Sequence, residues 1–179
     1  MLKNVIKLLL SVILIFGLIG CGNNIKNENY EEAVQYGKWL KPSKTTCEEN
    51  GGVYDITISG DKEKVCEANL ENAKKICNDS GGFVPSIEDL KEVVIECGGE
   101  FRYIEYIDGS RQIESGRTTD SQSYITCIRE KGFFGNFPNY LSSTTVTWDS
   151  SLVWYIKFSS IEENYYDINN SFYVMCITE

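Results

Sequence analysis

Seven cysteines are spread along a chain of 179 residues that contains no histidine, and six of them, Cys47, Cys66, Cys77, Cys97, Cys127 and Cys176, lie beyond the amino-terminal Cys21. An even set at such spacings, in an exported domain, reads as three disulfides whose connectivity the spacing alone leaves open. Zinc is the competing reading, but no Cys-x-x-Cys pair occurs and histidine is absent, so the usual ligand spacings are missing. The zero histidine count also removes the commonest general base. Histidine-dependent chemistry is excluded, and the sequence calls for neither metal nor cofactor.

The amino-terminal residues supply the oxidising address. Residues 1–20 carry Lys3 and Lys7, no acidic residue, and an apolar run from Leu8 to Ile19 that ends in small Gly20 before Cys21. The pattern is that of a secretion signal, and the run is short of the ~20 apolar residues that a spanning helix needs. Leu18-Ile19-Gly20-Cys21 resembles the lipobox of bacterial lipoproteins. That resemblance implies that Cys21 becomes the first residue and carries lipid, which makes the membrane a partner through the anchor. Two or three acyl chains, at ~0.8 kcal/mol per buried methylene, hold a protein firmly. Gly22, Asn23 and Asn24 lack the aspartate that retains enteric lipoproteins at the inner membrane, which favours the outer membrane in a Gram-negative host. Cleavage removes two lysines and no acid, moving the formal charge from −9 to −11. Nucleic acid does not suit such a charge.

Three segments follow: the signal peptide at 1–20, a lipidated tether with a short helix at 21–46, and one domain at 47–179. The helix is expected over Tyr30 to Leu40, where Tyr30, Tyr36 and Trp39 lie near helical spacing and pack onto the domain. Cys47 to Cys66 reads as a hairpin, with an alternating run from Val53 to Ile58 and a Gly60-Asp61 turn, so that its ends bring Cys47 to Cys66. A helix capped by Asn69 carries Leu70, Ala73, Ile76 and Cys77 on one side and stops at Gly81-Gly82. Ser86, with Asp89 three residues on, opens a second helix along Ile87, Leu90, Val93 and Val94 that stops at Gly98-Gly99. Phe101 to Ile107 and Arg111 to Ile113 read as strands about an Asp108-Gly109 turn. A third short helix spans Ser121 to Lys131, with Tyr124, Cys127 and Ile128 on one side.

The carboxy-terminal third reads as an antiparallel meander. Leu152 to Phe158 alternates, with Trp154, Ile156 and Phe158 on one face and Val153, Tyr155 and Lys157 on the other. Asn164 to Ile168 and Phe172 to Ile177 follow about Asn169-Asn170-Ser171. Phe172, Val174 and Cys176 share a face, which makes Cys176 the natural partner of Cys77. That bond closes a loop of about 100 residues and is worth ~4.7 kcal/mol in the chain-entropy model.

Three blocks resemble one family. Asn69 to Gly82 with Phe83-Val84-Pro85-Ser86-Ile87-Glu88-Asp89-Leu90 resembles its helix, glycine and W-R-L-P-T-x-x-E-L block. Tyr140-Leu141-Ser142-Ser143-Thr144 resembles its Y-W-S-S-T, and Tyr173-Val174-Met175-Cys176-Ile177 its closing Y-V-R-C-V. The family is the DUF1566 group, or Lcl C-terminal domain, of bacterial exported proteins, itself similar to C-type lectin-like domains. The resemblance covers about residues 47 to 178. It implies an α+β, disulfide-stabilised C-type lectin-like domain with two or three helices and a small antiparallel meander. The bond from the helix cysteine to the last-strand cysteine is a shared feature of that fold. With elimination, the resemblance also pairs Cys97 with Cys127. Phe83-Val84 and Leu141 depart from the family pattern, and the calcium and sugar motifs of true C-type lectins are missing.

Aromatic residues crowd Phe133 to Tyr140, and Phe134, Phe137, Tyr140 and Trp148 are the candidate ligand-binding residues. Large apolar residues are mostly buried, so the competing reading has such rings plugging the core, and Trp154, Tyr165 and Tyr166 fall under the same weighing. Glu162, Glu163, Asn164 and Asp167 offer oxygens, but without a fixed calcium-loop spacing they read as a solvated turn. With six paired cysteines no thiolate remains, and no Ser-x-x-Lys with supporting motifs occurs, so no enzyme is expected. The expected function is that of a lipid-anchored binding module of the bacterial cell envelope, recognising a glycan or protein through loops between Phe101 and Ser151. The alternative is an envelope structural protein or an inhibitor of a hydrolase.

Overall fold

The computed structural model describes residues 32–54, 64–105, 111–113, 116–118, 121–133 and 139–179. The expected signal segment and start of the tether, Cys21, Phe134, Phe137, the expected Gly60-Asp61 and Asp108-Gly109 turns, and the Val53 run beyond residue 54 lie outside the described residues. Among the described residues no helix is long and apolar enough to cross a membrane.

Among the described residues the architecture is mixed α+β, with four helices and antiparallel pairing nearly throughout the strands. Strands β1 (Val34–Tyr36) and β2 (Trp39–Lys41) precede helix α1 (Lys44–Glu49), and β3 (Val53–Tyr54) and β4 (Cys66–Ala68) precede α2 (Leu70–Asp79) and α3 (Ile87–Glu96). Then come β5 (Gly99–Glu100), β6 (Tyr103–Glu105), β7 (Arg111–Ile113), β8 (Arg117–Thr118) and α4 (Ser121–Glu130). The chain ends in β9 (Asn139–Val146), β10 (Asp149–Lys157), β11 (Glu162–Asp167), β12 (Phe172–Tyr173) and β13 (Cys176–Ile177). The main sheet has the order β11-β10-β9-β12-β4-β3, a second has β1-β2-β13, and β5-β8 and β6-β7 form two-stranded pairs.

The main sheet divides two cores. Alternation in β10 sends Val153 and Tyr155 to one, with α2, Leu141, Phe172, Val174 and Cys176. It sends Trp154, Ile156 and Phe158 to the other, with α3, α4, Tyr140, Met175 and Ile177. A one-residue shift in either strand would exchange the two sets, so the pattern pins the register from both sides.

Each helix boundary has a local cause. The Asn69 side chain accepts from the Asn72 N–H, and Gly81 at φ +90° ends α2 in the left-handed conformation that glycine takes without penalty. Gly82 is small for a different reason, since a Cβ there would stand 2.6 Å from the Ile177 carbonyl oxygen. Ser86 and Asp89 form a full capping box on α3.

The three blocks of the family resemblance meet in space. Phe83 and Ile177 exchange backbone hydrogen bonds of 3.0 and 2.9 Å. Ser143 N–H donates to the Pro85 carbonyl at 2.7 Å, and Ile87 N–H donates to Thr144 Oγ1 at 3.0 Å. Disulfides join Cys47 to Cys66, Cys77 to Cys176 and Cys97 to Cys127.

Several expectations need correction. The run 172–177, expected as the last strand of a meander, divides into β12 in the main sheet and β13 in the second, and β12 lies between β9 and β4, away from β11. The segment expected to be a helix forms the β1–β2 hairpin over its described part, because Gly37 at φ +61° turns the chain between Tyr36 and Trp39. Trp39 is then buried and β2 pairs with β13, so residues 34–41, assigned to the tether segment, belong to the folded body. Cys47 sits on helix α1 instead of a hairpin arm, although β3 and β4 do pair. Residues 139–151, expected as loop, are mostly strand, since β9 and β10 form the longest hairpin described.

Candidate functional site

Turning Tyr140 into strand β9 removes it from the surface. It is 1% exposed, with its ring 4.9 Å from Phe133 and 5.3 Å from Phe158. Phe133 lies at the centre of this cluster, 4.8 Å from both Trp39 and Phe158. Tyr140 therefore plugs the core, and its ring is not available to a ligand. Its neighbour Tyr173, 5.9 Å away, hydrogen-bonds Glu67 across β4 and β12. Burial and the nearby Glu67 carboxylate push the Tyr173 phenol up to about 12.

Trp148 has the opposite fate. It occupies the turn of the β9–β10 hairpin and is 68% exposed, more than any other large hydrophobic residue described. Its ring lies 6.3 Å from Trp154 and 5.9 Å from Tyr165, while Trp154 and Tyr165 are 5.2 Å apart. The three interplanar angles are 90°, 89° and 85°. The strands explain the grouping. Trp154 pairs with Tyr165 across β10 and β11, so both rings project from one face, and the hairpin brings Trp148 to them. Trp154 packs partly on the second core, which fixes the base of the group, while Tyr165 is 40% exposed.

The polar surroundings follow from the same register. Glu163 and Asp167 stand two residues to either side of Tyr165 and therefore share its face. Lys91 of α3 reaches Glu163 at 2.8 Å and Glu88 at 3.2 Å. The two carboxylates hold the Lys91 ammonium above its ordinary value despite burial, which works against the charge. Asp167 accepts from the Asn169 backbone N–H at 2.8 Å and from its side chain at 2.9 Å. Asp149, next to Trp148, accepts from the Ser151 N–H at 2.9 Å and its hydroxyl at 2.6 Å, which hold its carboxyl below the ordinary range. Tyr166 projects to the opposite face of β11 and is 56% exposed.

Of the four residues singled out from sequence, the structure thus exposes Trp148 and buries Tyr140. Trp154 and Tyr165, weighed there against a core role, are the residues that complete the surface group. The signal for their proximity lay in two alternating strands that place them opposite one another. Glu162, Glu163, Asn164 and Asp167 lie on strand β11 instead of a turn and project alternately from its two faces. Among the described residues no group of three or more Cys, Asp or Glu side chains is arranged to hold a metal ion. A shallow open groove follows the outer side of α3 along Glu88, Asp89, Lys91, Glu92 and Ile95.

No family model, curated protein or solved structure matches the chain significantly.

Proposed function

We propose that this chain is a lipid-anchored glycan-binding module of the bacterial cell envelope, non-enzymatic, with a C-type lectin-like domain akin to the DUF1566 group. The observation that carries the binding role is the right-angled group in which exposed Trp148 and Tyr165 stand on half-buried Trp154. Indole and phenol faces stack on the apolar faces of pyranose rings, and the polar rim of Asp149, Glu163 and Asp167 offers acceptors to sugar hydroxyls. The tie from α2 to the last strand through Cys77 and Cys176, and the pairing of β1-β2 with β13, support the lectin-like reading. The basic and apolar run before Cys21 supports export and lipidation, with the outer membrane favoured in a Gram-negative host.

A glycan array probed with the full chain in detergent, beside its Trp148→Ala variant, tests the proposal. Retention on a defined set of glycans that is lost in the variant is the expected result. A blank array, or equal retention by the variant, overturns it. Capture of a single tight protein partner instead would favour the structural or inhibitory alternative.

A further inference from the structure

We infer that the aromatic corner formed by Trp148, Trp154 and Tyr165 recognises an ammonium group, that of a glycan built from amino sugars with free amines. The inference rests on the glycan-binding reading above and narrows it to one chemical class.

The first argument is geometric. Three ring planes standing at 90°, 89° and 85° to one another leave no ring stacked flat on its neighbour. Trp148 in particular keeps most of its surface open at 68% exposure. Aromatic faces carry the negative end of the ring quadrupole, and a cation within about 6 Å of a ring centroid is attracted to it. In edge-to-face contacts the rings are held without covering one another, and the open indole of Trp148 remains the face that a compact cation can meet.

The second argument is the charge around the corner. Glu163 and Asp167 flank Tyr165 on its own face, and Asp149 follows Trp148 in the chain. Glu163 is already paired with Lys91 at 2.8 Å. Among the described residues the donors to Asp149 and Asp167 are Ser151 and Asn169, which are uncharged and leave both carboxylates as acceptors for a cation. The chain as a whole carries a formal charge of −9. An anionic sugar, such as a uronic acid or a phosphorylated residue, would meet like charge here, whereas an amino sugar brings the complementary one. The same pyranose ring supplies the apolar face that stacks, so a single residue of the ligand satisfies both the rings and the carboxylates.

The test titrates the full chain in detergent with a β-1,4-linked glucosamine oligomer and, separately, with its fully N-acetylated counterpart, following tryptophan fluorescence and heat. The free-amine oligomer should bind about tenfold more tightly, in keeping with one cation–π and charge contact, and should weaken as salt is raised. Trp148→Ala should remove that preference, and Asp167→Asn, which leaves every ring in place, should reduce it about threefold. Equal or tighter binding of the acetylated oligomer overturns the ammonium assignment while leaving the glycan reading intact. Binding of neither oligomer, with retention of other glycans on the array, also overturns it. A blank array together with binding of lysine-rich peptides removes both readings in favour of a protein ligand.

Discussion

Trp154 of β10 stands directly opposite Tyr165 of β11, with ring centroids 5.2 Å apart and planes at 85°. The pair is the link between the second core, on which Trp154 packs, and the exposed Trp148. Aromatic pairs of this geometry contribute about 0.5 to 1.5 kcal/mol beyond their buried area. A double-mutant cycle on Trp154→Ala and Tyr165→Ala, read by urea unfolding, should return a coupling in that range. Trp148→Ala should change stability by only about 0.5 kcal/mol, because surface substitutions rarely do more. A large loss at Trp148 would mean that its ring serves the fold instead of a ligand.

The three disulfides differ in access. Cys47, Cys66, Cys77 and Cys176 are at most 1% exposed, whereas Cys97 and Cys127 are only half-buried at the ends of α3 and α4. Thiol–disulfide exchange needs an attacking thiolate to reach sulfur, so graded reduction followed by alkylation and mass spectrometry should label Cys97 and Cys127 first. The sequence separations of 19, 99 and 30 also rank the bonds. Chain entropy gives about 3.2, 4.7 and 3.6 kcal/mol respectively. Replacing Cys77 and Cys176 with alanine should therefore destabilise most, and replacing Cys97 and Cys127 markedly less, since the latter also vacates less buried volume.

These bonds show how far the residues alone led. The helix stops at Gly81 and Gly98, the caps at Asn69 and Ser86, and the two-faced alternation around Trp154 and Val174 were legible because each depends on a few neighbouring residues, although the second run is two strands, β12 and β13, with Val174 between them. The β1–β2 hairpin was not, because Tyr36 and Trp39 fit a helical spacing as well as the two arms of a turn, and only Gly37 distinguished them. Helix α1 has six residues with one buried side chain, Cys47, too few to show a period. Strand β9 was hidden by its serines and threonines. Its Ser142 is fully buried, its hydroxyl donating to the Trp154 carbonyl at 2.7 Å, a long-range partner that no local pattern displays. Trp148 was legible as a large ring among polar residues, but its company with Trp154 and Tyr165 depended on that same unseen strand.

The capping box on α3 offers a direct test of how much the scaffold under the site depends on one side chain. Ser86 Oγ accepts from the Asp89 N–H at 3.1 Å, and the Asp89 carboxylate accepts from the Ser86 N–H at 2.8 Å. Ser86→Ala removes half of this reciprocal pair and should cost about 1 kcal/mol in urea unfolding. Because α3 also positions Lys91 against Glu163, fraying of its first turn should be visible as faster amide exchange at Glu88 and Asp89 before any change at Val93 and Val94.

Glu67 sets a pH dependence of opposite sign to that of Glu71 and Asp149. It sits between Val53 and Tyr173 in the sheet, where burial raises its carboxyl above the ordinary range and the hydrogen bond from Tyr173 only partly restores it. The Tyr173 phenol, pushed up to about 12, remains a neutral donor throughout the acid-to-neutral range. The folded protein thus binds the Glu67 proton more tightly than the unfolded chain does. Its contribution to stability is fully present below the ordinary glutamate range and is lost as pH rises through the raised folded value. Glu71 and Asp149 are lowered by Lys75 and Ser151, and act in the other direction, so the whole-protein curve mixes both signs. A comparison with Glu67→Gln isolates the one group, because the amide keeps an acceptor for Tyr173 without titrating. Urea midpoints measured from acid to neutral pH should show the variant gaining on the wild type as pH rises. A wild type that instead gains on the variant would mean that the ionised carboxylate is the form the fold prefers.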